Sequence, residues 1–138
     1  MLHSDPLQPI TDDQVAAYDR DGAILLQSVF DIEWIEVLRE AVEQDKAQPG
    51  PMVRHNTPPG NAGEFFVDFQ LWQRWDGAKR FALEGPGGAI AARMMDAKTV
   101  TYYHDHLLVK EPGTQEKTPW YHDQPYYPIE GWQVGSIW

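Results

Sequence analysis

Hydrophobic residues along this chain keep a helical spacing first and an alternating one later. Val15 and Tyr18 stand three apart behind a polar start, and Trp34, Ile35, Leu38 and Val42 mark one stripe over residues 32–47. Thr11, followed by Gln14 three residues on, has the make-up of a capping box, so residues 11–20 predict a helix that Asp21-Gly22 ends. The apolar run AILLQSVF (23–30) predicts a strand, because runs of that length after a glycine are more often strand than helix. Asp31 predicts the cap of a second helix over 32–47. Its acids Glu33, Glu36, Glu40 and Glu43 read as a solvated face.

Residues 48–64 are rich in proline and glycine and predict a loop, with His55 facing solvent. A long loop inside a domain is either a substrate-binding segment or a surface excursion, here pinned by the aromatic stretch FFVDFQLWQRW that follows. A short helix is expected over 76–84, broken by Pro86-Gly87-Gly88. Another follows over 89–97, with Ile90, Met94 and Met95 towards the core. Residues 98–113 alternate and are rich in β-branched and aromatic side chains, which predicts a strand. Beyond the turn at Pro112-Gly113, residues 118–138 read as further strands punctuated by Pro119, Pro125 and Pro128. Helices first and strands later make one α+β domain over residues 1–138. The chain stops at Ile137-Trp138 inside an apolar alternating stretch, so the sheet is expected to continue beyond it, in a longer protein.

Charge narrows the function. The 138 residues carry 21 acids against 11 bases, a net charge of −10, which argues against nucleic acid and against anionic membranes as partners. The absence of cysteine excludes disulfides, thiolate metal sites and a cysteine nucleophile. No apolar run reaches transmembrane length and the start has no signal pattern, so a cytoplasmic protein is expected.

The candidate chemistry lies in 118–138. His122 and Asp123 stand side by side among aromatic residues on an expected strand, and an imidazole with a carboxylate makes two thirds of the two-His, one-carboxylate iron site of non-haem oxygenases. His104-Asp105-His106 is a second pair of imidazoles sharing one strand face. That geometry can bind zinc, but two ligands do not make a site, and packing or hydrogen bonding is the other account.

Two stretches carry a family resemblance. The opening TDDQVAAYDRDGAILLQSVFDIEWIEVLREAVE and the segment YYHDHLLVKEPGTQEKTPWYHDQPYYPIEGWQVGSIW resemble the N-terminal half of the phytanoyl-CoA dioxygenase family. The resemblance implies an incomplete double-stranded β-helix (a cupin-like jelly roll), Fe(II), 2-oxoglutarate as cosubstrate and oxidation, usually hydroxylation, of a small molecule. It directs His122 and Asp123 to the metal, and Tyr103, Lys110 and Trp138 towards the cosubstrate. For Lys110 a surface role is the alternative, and for Trp138 a place in the core. The family's distal His, and the basic residue that grips the cosubstrate carboxylate, would lie beyond residue 138.

One residue departs from the pattern. The family's Thr-Pro-Trp-His-x-Asp is here Thr118-Pro119-Trp120-Tyr121-His122-Asp123, with tyrosine at the first ligand position. Alternation on a strand turns 121 and 123 together and 122 away. A neutral phenol, with a pKa of about 10, is a poor iron(II) ligand. Three readings stay open: a bulge turns His122 to the metal, Tyr121 binds as phenolate and favours iron(III), or the site is degenerate. The last would leave a non-catalytic binding module.

Overall fold

The computed structural model describes residues 1–138, the side chain of Gln124 excepted. Its order is α1 (Asp12–Asp21), α2 (Ile32–Ala47), β1 (Arg54–His55), β2 (Phe65–Phe69), a 3-10 turn (Leu71–Gln73), α3 (Asp76–Glu84), α4 (Gly87–Met94), β3 (His106–Lys110) and a second 3-10 turn (Gln124–Tyr126). The class is α+β. No helix among the described residues is long and apolar enough to cross a membrane.

Helix α1 begins where its capping box predicts. Gln14 N donates to Thr11 Oγ1 at 3.2 Å, and Thr11 N donates to Gln14 Oε1 at 2.9 Å, satisfying two donors at the helix start. Gly22 ends it in the left-handed conformation, φ 74°, with its N–H on the Tyr18 carbonyl. Helix α2 spans the expected residues, but Asp31 precedes it without capping it through its side chain. The buried Asp31 carboxylate instead accepts from His3 N at 2.8 Å and meets His3 Nδ1 at 2.8 Å. That bond to the His3 amide, more than any other influence, holds the Asp31 carboxyl below its ordinary value. Trp34 is buried beside it, its indole N–H on the His3 carbonyl and its ring edge-on to Phe81.

The sheet has three antiparallel strands in the order β1-β2-β3. Its register sets Phe65 opposite Lys110, Val67 opposite Leu108 and Phe69 opposite His106. One apolar cluster gathers Val29, Ile90 and Met94 against Ile10, Val15, Tyr18, Ile24, Leu26 and Phe30. A second joins Ala41, Leu71 and Ala78 to Trp75 and Leu107, so α2 and α3 close on the sheet.

Several expectations fail, each for a local reason. Residues 23–30 are not a strand. Ile24, Leu26, Val29 and Phe30 pack against α1 and α4 while Leu25 stays exposed, and no strand pairs with them. Helix α3 does end at Glu84, ahead of Pro86-Gly87-Gly88 as expected, but α4 opens at Gly87 rather than at 89, because Pro86 at the N-cap has a helix-compatible φ of −71° and lacks only an N–H the first turn does not use. The helix then ends at Met94 rather than 97. Strand β3 is shorter than 98–113 because Asp105 turns its carboxylate and carbonyl to the backbone of Gln70, Leu71 and Trp72. Residues 118–138 hold one 3-10 turn and no strand. Prolines at 119, 125 and 128 remove the donors a ladder needs. Two strands went unassigned: β1, inside the stretch 48–64 expected to be loop, and β2, Phe65–Phe69, which lies at the centre of the sheet.

Candidate functional site

At the end of the β2–β3 ladder, Phe69 and His106 face each other across the register and their rings stack, centroids 4.2 Å apart and 15° from parallel. Two residues earlier, the His104 ring meets Tyr103 at 4.9 Å and Tyr127 at 5.2 Å, while Tyr103 and Tyr127 stand edge-on at 5.6 Å. The motif segment closes over this aromatic group. Asp123 is half-buried, and Ser136 Oγ donates to its Oδ2 at 3.3 Å.

The electrostatics tie these residues into one neighbourhood. The His106 imidazole is lowered, first by loss of water around its stacked ring and then by the charge of His104. Asp123 pulls the other way. The Tyr127 phenol is raised, first by burial and then by the charges of Asp123, Tyr121 and Tyr103. Tyr121 and Asp123 therefore act on the same ring. Both lie in a segment that forms no strand, and Tyr121 is 47% exposed. His122 between them is exposed.

The cosubstrate candidates are dispersed. Tyr103 stands within the cluster, half of it exposed. Lys110 is committed elsewhere: its ammonium donates to Thr118 Oγ1 at 2.6 Å and to the Glu116 carbonyl at 3.3 Å, and lies 4.7 Å from the Phe65 ring centroid. It pins the loop that leads into the motif. Trp138 is 86% exposed and adds no ring contact to the cluster among the described residues. Trp120, within the motif, is fully exposed.

The donor types suit iron(II): imidazoles and a carboxylate, with no thiolate to favour zinc or copper(I). Their placement is less complete. Among the described residues no three of His, Asp and Glu stand where one ion could take them all. A shallow groove of about 460 Å³ adjoins the site, lined by Pro51, Met52, Val53, Arg54 and Phe69, so Phe69 is shared between groove and cluster.

Pattern reading missed Phe69 and the joining of 104–106 to 123. The signal for Phe69 was present in the alternation of FFVDF, where aromatic residues frame a single acid. The approach of residues 103–106 to 123–127 is a long-range contact that no local spacing encodes. No family model, curated protein or solved structure matches this chain.

Proposed function

We propose that this chain carries part of the metal centre of an Fe(II)- and 2-oxoglutarate-dependent oxygenase that hydroxylates a small organic molecule, within a larger double-stranded β-helix. One observation carries the reading. Asp123, the carboxylate at the motif's metal position, turns inward, where its charge acts on His106 and Tyr127. Asp123 would hold the ion, together with the His122 imidazole after a local turn of the backbone. Bound iron with 2-oxoglutarate would supply dioxygen activation. The chain's own residues then have plainer tasks. Ser136 orients the carboxylate, Tyr103 and Tyr127 keep water from one side of it, and Lys110 anchors Thr118 at the head of the motif.

Anaerobic titration with Fe(II), or with Mn(II) as a redox-silent probe, tests this. Binding in the micromolar range, lost in Asp123→Ala, is expected. Wild-type protein that binds neither ion would overturn the reading, as would undiminished binding in the variant. The second reading, a binding module without metal, is favoured by the exposure of His122 and by tyrosine at position 121. A wild type that binds neither ion supports it.

A further inference from the structure

A buried charge cluster joins α2, β2 and the start of α3, and of the candidate site it touches only the backbone of Phe69. Asp45, near the end of α2, and Asp68, in β2, are both completely buried. One guanidinium serves both. Arg74 Nη1 donates to Asp45 Oδ1 at 2.5 Å and to Asp68 Oδ2 at 3.2 Å, while its Nη2 donates to the Gln48 carbonyl. Trp75 Nε1 donates to Asp45 Oδ1 at 2.8 Å. Asp68 further accepts from Gly50 N at 2.5 Å and from Phe69 N at 2.7 Å. One atom is left over: Asp45 Oδ2 is buried without a donor.

Two carboxylates against one guanidinium leave a net negative charge in the interior. An uncompensated buried charge is costly, and the usual remedy is uptake of a proton. The two carboxylates meet on the same nitrogen, Arg74 Nη1, at 2.5 and 3.2 Å, and as two anions they have no hydrogen to share. We propose that Asp45 and Asp68 share one proton at neutral pH, and that this proton is a latch holding the 48–53 loop against the fold.

The latch acts through short connections. Gly50 N rests on Asp68, the Gln48 carbonyl rests on Arg74, and Val53 N donates to the Gly50 carbonyl at 3.2 Å. A β-carbon at position 50 would stand 2.6 Å from Arg74 Nη1 and 3.0 Å from Asp68 Oδ2, so only glycine lets the loop approach this closely. Pro51, Met52 and Val53 wall the groove that ends on Phe69, the ring stacked on His106. Losing the proton therefore loosens the wall of the groove beside the candidate site.

The direction with pH follows from the groups that face the pair: Arg74, Trp75 and each other. Burial pushes the Asp45 carboxyl above the ordinary carboxylate range, with the Asp68 charge adding to it and the Trp75 and Arg74 bonds opposing. A raised folded value means the stabilisation is complete below the unfolded pKa, about 3.9, and is lost as pH rises through the folded value. Between the two, each pH unit changes the opening equilibrium about tenfold.

Hydrogen exchange at the Gly50 amide, corrected for the intrinsic effect of pH, reads the latch in the whole chain. In wild type its protection should fall about tenfold or more from about pH 6 to pH 9. In Asp45→Asn it should stay level, because the amide donates without a proton to lose. Level protection in wild type, or an equal fall in the variant, would overturn the latch. Should the variant not fold, the side-chain carboxyl carbon of Asp45 in wild type decides alone. A titration midpoint above neutral pH supports the shared proton, and one below neutral pH refutes it. Neither measurement involves metal, so the latch and the oxygenase reading fail separately.

Discussion

Gly63 lies against the backbone of Thr114 so closely that a β-carbon at 63 would stand 2.5 Å from the Thr114 nitrogen and 2.8 Å from the Glu111 carbonyl oxygen. The residue is buried, and the atoms it would meet are backbone, which cannot swing away as a side-chain end can. This contact joins the entry to β2 with the exit from β3. It holds the 111–117 loop, which Lys110 then ties to Thr118.

Gly63→Ala should therefore destabilise the fold by about 1–3 kcal/mol, the usual range for overfilling a packed site. Denaturant unfolding of the variant against wild type measures it. An unchanged midpoint would mean the loop moves aside freely, and that the approach to the motif is not fixed by this contact.

Asp105 controls a different junction. Its Oδ1 accepts from Leu71 N at 2.7 Å, and its Oδ2 accepts from Trp72 N at 2.9 Å and from the Tyr102 hydroxyl at 3.1 Å. Asp105→Ala leaves two backbone donors without their partner, a loss of about 1–3 kcal/mol. The same variant has a spectroscopic consequence. Burial first, and the Asp105 charge and hydrogen bond second, raise the Tyr102 phenol above its ordinary value. Without the carboxylate, ultraviolet titration of the tyrosines should show one phenol ionising at lower pH. A profile identical to wild type would deny that Asp105 and Tyr102 interact in solution.

The helices were legible because their signals are local. Thr11 and Gln14 are three residues apart, and Trp34, Ile35, Leu38 and Val42 return to one face within a few turns. The sheet was only half legible. Residues 23–30 have strand composition, but Ile24, Leu26, Val29 and Phe30 pack against α1 and α4, and a strand exists only where another strand accepts it. Asp68 shows the converse. An acid among apolar strand residues ordinarily takes the solvent side, yet Asp68 is fully buried because Arg74, just beyond the strand, and the Gly50 amide, from the loop before it, meet its carboxylate. For the site, sequence put His122 and Asp123 side by side, while the approach of Asp123 to His106 and Tyr127 comes from tertiary folding.

Tyr121 is the residue on which the proposed metal chemistry turns. Its charge acts on Tyr127 together with that of Asp123, while both Tyr121 and His122 are exposed. A neutral phenol contributes little to iron(II), and its ionisation near neutral pH works against a pKa of about 10. Tyr121→His puts a neutral imidazole there and restores the family's His-x-Asp spacing with Asp123. Affinity for Mn(II) or Fe(II) should rise about tenfold or more, comparable to what even an outer partner of a metal ligand contributes. Isothermal titration of wild type, Tyr121→His and the double variant with Asp123→Ala separates the outcomes. A gain that vanishes in the double variant means 121 and 123 grip one ion. No gain in Tyr121→His would show that the two side chains do not converge, and the inward turn of Asp123 would then serve packing rather than metal.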